Sequence, residues 1–376
     1  MACSKPMRLK DVYDFTRTNS VLFDFLRSHN VLFSFDGLCD RCADGHMHLV
    51  HDSSVSDGLK WRCTNRRCNF KMSLRMHSFF SSSHLSISVI TEVIYLWVHK
   101  CSQEFVMHET GISKRTMVDF YNFLREVCSV ILQEHSEPIG GPGKIVEIDE
   151  SKFGKRKYNK GKRVDGVWVF GGTERDSDPP KTFFVPVSDR SAATLITIIK
   201  RWILPGTTVL SDCWKAYSSL EREGFIHETV NHSVHFVSDS GTHTNTIEST
   251  WNALKKSLPK FGTAKDMYNS YFAEYCIRHK YINVANDKFL KILRLISLVY
   301  NPTGANSNEN DASAQPSHGE LSHDELLPLR METASHSDSE NNMNVDNTVT
   351  FAACDVGNFD LQFDFNDFDS DVDIFE

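Results

Sequence analysis

Lys144-Ile145-Val146-Glu147-Ile148-Asp149-Glu150-Ser151 alternates apolar and polar side chains and carries an acid in mid-course. Period-two alternation marks a strand with one covered face. It opens an ordered series. Val167-Trp168-Val169-Phe170-Gly171-Gly172 predicts a second strand, and the run from Lys181 to Val187 a third. Ala192 to Ile203 predicts a helix, Thr207 to Asp212 a fourth strand ending on an acid, and Asn245-Thr246-Ile247-Glu248 the start of a further helix. Three antiparallel strands, a helix, a strand and an acid-bearing helix follow the ribonuclease H-like order. The fold class expected for residues 144–298 is therefore α/β, a mixed five-stranded sheet with helices.

The placement of three acids suits one chemistry. Two Mg²⁺ (or Mn²⁺) ions about 3.5–4 Å apart activate an attacking oxygen and stabilise a leaving one in an in-line displacement. Such hard ions need carboxylate oxygens. Asp149 on a central strand, Asp212 at the end of its neighbour and Glu248 on a nearby helix make a candidate catalytic and metal-binding set. Thirty-five residues separate Asp212 from Glu248, the spacing of a DD(35)E arrangement. Other acids compete. Glu147 shares a strand face with Asp149 and is a rival or a helper. Glu150 points to the opposite face, Asp189 caps a helix, and Asp239 lies in a loop.

Charge is unevenly spread. The chain carries −8 overall, but residues 301–376 hold 17 acids against Arg330 alone, leaving +8 on residues 1–300. A mildly basic body suits a polyanion partner. The densest basic stretch follows the first acid: Lys152, Lys155, Arg156, Lys157, Lys160, Lys162 and Arg163 are seven cations in twelve residues. A solvated loop is the plain alternative, yet a grip on DNA phosphates explains such a cluster beside an acidic site.

Upstream, Cys39-Asp40-Arg41-Cys42 and Cys63-Thr64-Asn65-Arg66-Arg67-Cys68 stand twenty residues apart. Two short cysteine loops can supply the four ligands of a structural Zn²⁺. A strand, a turn and a second strand between them predict a zinc ribbon over residues 38–80; four unrelated buried cysteines are the alternative. His46, His48 and His51 lie close enough to replace a ligand, and Arg41, Lys60, Arg62, Arg66 and Arg67 make the module basic. Residues 1–37 contain an amphipathic helical stretch. Residues 84–136 read as helices, with Gly111 ending one, Ser113 capping the next, and Lys114 and Arg115 in its first turn. This fits a helix-turn-helix whose second helix contacts DNA through Ser113, Lys114 and Arg115, and it also fits an ordinary helical hairpin. Glu137–Gly143 is rich in chain breakers and predicts a linker. After Pro302 the composition turns to Asn, Ser, Asp and Glu, as in a disordered acidic tail over residues 301–376.

The strings EIDESKFGKRKYNKGKR, VWVFGG, VLSDCWKAY and HTNTIESTWNALKK, from about Gly143 to Tyr281, resemble the ISXO-like DDE transposases and their eukaryotic relatives, the Merlin superfamily. The ribbon and helix-turn-helix upstream fit that plan. The resemblance implies that Asp149, Asp212 and Glu248 are the catalytic acids. It also implies that His243 and Asn245, in the HTN-IE string, orient the acid, contact DNA or shape a turn. The function expected is metal-dependent cleavage at terminal inverted repeats and strand transfer into target DNA, by a homodimer or higher assembly on double-stranded DNA. The rival is a domesticated DNA-binding regulator, since the tail NFDLQFDFNDFDSDVDIFE interleaves acids with apolar residues as activation segments do, and the tail would then bind other proteins. No apolar run approaches the ~20 residues of a membrane span. MACSKPMRLKDVYDF lacks a signal-peptide layout, so a soluble intracellular protein is expected, nuclear if its host is eukaryotic.

Overall fold

The computed structural model describes residues 5–34, 37–154, 166–212, 215–230, 245–259 and 263–300. Lys155, Arg156, Lys157, Lys160, Lys162, Arg163, Asp239, His243 and the acidic tail lie outside the described residues. The described residues all belong to one compact unit.

The amphipathic N-terminal stretch forms two helices, α1 (Leu9–Thr16) and α2 (Asn19–Ser28). The cysteine region forms an antiparallel sheet of β1 (Met47–His51), β2 (Leu59–Cys63) and β3 (Lys71–Ser73). This is one strand more than the two expected, because Met72 and Phe70 complete the small core around Trp61, Met47 and the thiols. Arg75 then fastens this sheet to the next segment. Its guanidinium donates twice to the Asp57 carboxylate at 2.6 Å and once to the Ser83 carbonyl at 2.7 Å, with both side chains buried.

Three helices follow. α3 (Ile87–Val98) is apolar nearly all round and lies in the core. α4 (Gln103–Thr110) ends at Gly111, whose φ of 68° is the left-handed C-terminal turn that glycine adopts at little cost. Ser113 accepts from the Thr116 N–H and caps α5 (Lys114–His135). After the larger sheet come α8 (Tyr268–Ile277) and α9 (Lys288–Val299). The helical core draws on both ends of the described chain: Leu22, Phe23 and Leu26 of α2 and Ile90 and Ile94 of α3 share it with Ile277 of α8 and Phe289, Ile292 and Ile296 of α9. Each such residue contributes roughly 1.5–3 kcal/mol of gross burial, which holds the two ends together.

The larger sheet is mixed and five-stranded. Its strands are β5 (Ile145–Phe153), β6 (Val167–Glu174), β7 (Thr182–Val187), β9 (Thr208–Asp212) and β10 (Ile226–Val230), in the order β10-β9-β5-β6-β7. β5, β6 and β7 pair antiparallel, while β9 runs parallel to both β5 and β10. Alternation divides the faces. Val146, Ile148 and Phe170 face α6 (Ala192–Trp202), whereas Phe153 and Val169 face α7 (Asn245–Ser257) and α8.

Two expectations change in detail. Glu137–Gly143 is not a loose linker: Ile139–Gly140 (β4) pairs with Ile203–Leu204 (β8). The Gly140 N–H donates to Glu174 at 2.9 Å and the Gly141 N–H to the Thr207 hydroxyl at 2.7 Å. A buried backbone must find partners, and a Cβ on Gly140 would lie 2.4 Å from the Thr207 hydroxyl oxygen, so the glycine permits the contact. The α6 cap is Ser191, and Asp189 braces it by accepting from the Ser191 N–H at 2.8 Å and the Thr194 hydroxyl at 2.9 Å.

Candidate active site and metal sites

β5 and α7 build the acidic site. Glu147, Asp149 and Ser151 stand on the α7 side of β5. Each meets one residue of the helix, and the helix residues are four apart. The Ile247 N–H donates to Glu147 Oε2 at 2.8 Å, the Trp251 indole N–H to Asp149 Oδ2 at 3.1 Å, and the Lys255 ammonium to the Ser151 hydroxyl at 2.6 Å. The match is geometric: two strand residues advance about 6.6 Å and four helix residues about 6 Å, so the rungs stay in step. Glu248 follows the first rung directly. Gly171 pairs with Asp149 across the β5–β6 ladder, and a Cβ there would lie 2.6 Å from the Trp251 ring, so a glycine makes room for the indole.

Asp212 arrives from the neighbouring strand. β5 and β9 pair with Val146 beside Val209 and Glu147 beside Leu210. Asp149 and Asp212 each follow two residues after that last pair, and the charge of Asp212 is felt at Asp149. Asp212 and Glu248 are exposed and Asp149 is half-buried. Burial raises the Asp149 carboxyl to about 6, with the charges of Asp212 and Glu248 adding to the shift; the Glu150 backbone N–H and Trp251 oppose it. All three expected acids therefore act on one region. Their oxygens are not all within 4.8 Å of one another, unlike the cysteine sulfurs. Three carboxylates, from two interior strands and the helix over them, are a donor set that fits hard divalent ions.

The rival acids separate clearly. Glu147 is fully buried and pairs with Arg175 while holding the α7 N–H. It is a support, closed off on all sides. Glu150 faces the α6 side as expected, where it accepts from the Tyr217 hydroxyl and lies 3.8 Å from Arg190. Burial nevertheless raises its carboxyl to about 8, with Asp149 and Asp212 contributing. Sequence reading missed Trp251, Lys255, Arg175 and Tyr217. The signal available for the first two was their four-residue spacing from Ile247.

The basic residues are more scattered. Ser113, Lys114 and Arg115 are exposed at the start of α5, and Asn245 is exposed at the start of α7. Lys152 is half-buried, its ammonium 5.6 Å from the centre of the Trp168 ring, whose face is also covered by Arg190 at 3.8 Å. A groove of about 730 Å³ lies elsewhere, against β3 and residues 75–83, and includes none of the three acids.

Among the described residues, Cys39, Cys42, Cys63 and Cys68 form the one group whose ligand atoms converge within 4.8 Å. His46, His48 and His51 are not in it. The Cys39–Cys68 and Cys42–Cys63 sulfurs are 3.8 and 3.7 Å apart. A tetrahedron with Zn–S bonds of about 2.3 Å has edges of about 3.8 Å, so the cluster could hold a zinc ion. The backbone N–H groups of Asp44 and Gly45 bring the Cys42 thiol down to about 7, whereas burial pushes the Cys63 thiol up to about 12 against the Asn65 N–H, which donates to its Sγ at 3.3 Å, and burial raises Cys68 as well. Such donors favour thiolates. Gly45 is obligatory here, since a Cβ would lie 2.5 Å from Cys63 Sγ.

The ISXO2-like transposase domain matches residues 138–281, which span both strands and the helix that carry the acids. An uncharacterised transposase-like protein of Haemophilus influenzae is 34% identical over 95 residues, 25% of this chain and 76% of that protein. The simian T-cell lymphotropic virus intasome, solved in complex with PP2A regulatory subunit B56 gamma, is 16% identical over 61% of this chain and 80% of that one, with a TM-score of 0.26. That overlap is too slight to add to the assignment. No helix among the described residues is long and apolar enough to cross a membrane. The domain match and the bacterial relative together establish that this chain belongs to the ISXO2-like transposase family.

Proposed function

We propose that the protein is a cut-and-paste DNA transposase with a ribonuclease H-like core, acting through Asp149, Asp212 and Glu248. The observation that carries this is the placement of the three acids: adjacent parallel strands supply two, and a helix hydrogen-bonded to one of those strands supplies the third. The strand order β10-β9-β5-β6-β7, with its directions, supports the fold. When bound, two Mg²⁺ or Mn²⁺ ions would supply activation of the attacking oxygen and stabilisation of the leaving one. Asp149, Asp212 and Glu248 would hold them. The acids hold no covalent intermediate; a water attacks the phosphodiester at the element's end, and the freed 3′-hydroxyl then attacks target DNA.

Recognition would come from the N-terminal modules. The turn at Gly111–Ser113 and the exposed Ser113, Lys114 and Arg115 suit a helix-turn-helix reading the terminal inverted repeats. The four cysteines would hold a structural zinc in a ribbon. Lys152 and the cations after it would grip phosphates near the cut, and paired cutting of two ends calls for a dimer or larger assembly. The test is cleavage of DNA bearing the inverted repeats that flank the gene. Asp149→Asn, Asp212→Asn and Glu248→Gln should each lower Mg²⁺-dependent cleavage by at least about a hundredfold with DNA binding retained. Wild-type-like cleavage by any one would remove that residue from the set, and a wild type inert in both Mg²⁺ and Mn²⁺ would leave DNA binding as the function.

A further inference from the structure

Trp251 covers Asp149 from α7. Its side chain is nearly inaccessible, 4% exposed, with Phe153 and Phe184 at ring separations of 5.8 and 5.2 Å. Gly171 lies beneath it, where even a methyl group would collide with the ring. The indole therefore has one place to be. Its N–H is a donor only, and it donates to Asp149 Oδ2. The rungs on either side, from Glu147 to Ile247 and from Ser151 to Lys255, keep the helix from sliding along the strand. A carboxylate turns easily about its last torsion; one whose oxygen is claimed by a fixed donor does not.

We propose that Trp251 is a positioning residue for divalent-ion binding. Its indole N–H fixes the Asp149 carboxylate in the orientation that offers the remaining lone pairs toward Asp212 and Glu248. This rests on the metal-dependent reading above and adds a residue that touches neither DNA nor ion. The ordinary role of a buried Trp, packing with an N–H satisfied wherever an acceptor stands, predicts a loss of stability without a change in ion affinity. The two roles therefore differ in a measurable way.

The experiment uses the full chain with its zinc loaded and no DNA, and Mn²⁺ alone as the probe, the free ion being followed by electron paramagnetic resonance. Trp251 is replaced by 3-benzothienylalanine, introduced site-specifically, which keeps the ring shape and puts sulfur in place of the N–H. Trp251→Phe is a second variant, and thermal melts in chelator report on the fold of each. Asp149→Asn sets the baseline for binding outside the acidic site. For the isosteric analogue we expect a melting temperature within a few degrees of wild type and Mn²⁺ affinity about tenfold weaker, the scale of one hydrogen bond to a charged group. A loss smaller than fivefold overturns the proposal, whatever Trp251→Phe does. If the wild type binds no more Mn²⁺ than Asp149→Asn, the metal-dependent function itself fails and takes the role of Trp251 with it.

Discussion

Exchanging the charges of Glu147 and Asp149 one at a time should give opposite results, although the two residues share a strand face. Glu147→Gln keeps shape and removes a charge at a site with no exposure. The Arg175 guanidinium, 16% exposed, loses its ion pair with Glu147, and an amide nitrogen is set against either the Arg175 Nε–H or the Ile247 N–H, both of which are donors. Breaking one side of a buried pair costs 3–5 kcal/mol; the partial exposure of Arg175 argues for the lower end, about 3 kcal/mol. At about 2 °C per kcal/mol for a body of this size, the melting temperature should fall by roughly 6 °C. Cleavage should be reduced but measurable below that temperature, because α7 keeps its Trp251 and Lys255 rungs. Asp149→Asn works the other way. The ionised Asp149 is disfavoured by burial and by Asp212 and Glu248, so its neutral isostere should melt at or above the wild-type temperature in chelator while cleavage disappears. Calorimetric melts and a nicking assay on the same preparations decide the matter. A Glu147→Gln protein that melts like wild type and cannot cleave would make Glu147 a ligand and refute the reasoning.

Two further outcomes are expected. Purified protein should carry about one zinc per chain, and Gly45→Ala, which forces a methyl against Cys63 Sγ, should lower that content; an unchanged zinc-to-protein ratio by metal analysis would count against the cysteine site. Lys114→Ala with Arg115→Ala should weaken binding to the element's ends and flatten the log–log salt dependence by about two if each contacts a phosphate, whereas an unaltered slope would remove the start of α5 from the DNA interface.

The sequence alone determined the local elements and the chemistry that they could carry. Alternation marked β5 and β9, Gly111 and Ser113 marked the ends of two helices, and the paired cysteines marked a ligand set, because each of these depends on residues near in the chain. It also placed Asp149 within a strand, Asp212 at the end of another and Glu248 at the start of a helix, where the structure has them. Local pattern could not separate Glu147 from Asp149. Both obey the same period-two rule, and what distinguishes them is the helix that lies over them a hundred residues later. Packing decided that one is sealed beneath the Ile247 N–H and Arg175 while the other opens toward Asp212 and Glu248. Packing likewise turned Glu137–Gly143 from an apparent linker into a ladder against β8, since buried backbone groups take whatever partners the fold brings. The contact of Trp251 was decided the same way: its spacing along the helix is written in the sequence, but its acceptor is a strand residue that only the fold brings beneath it.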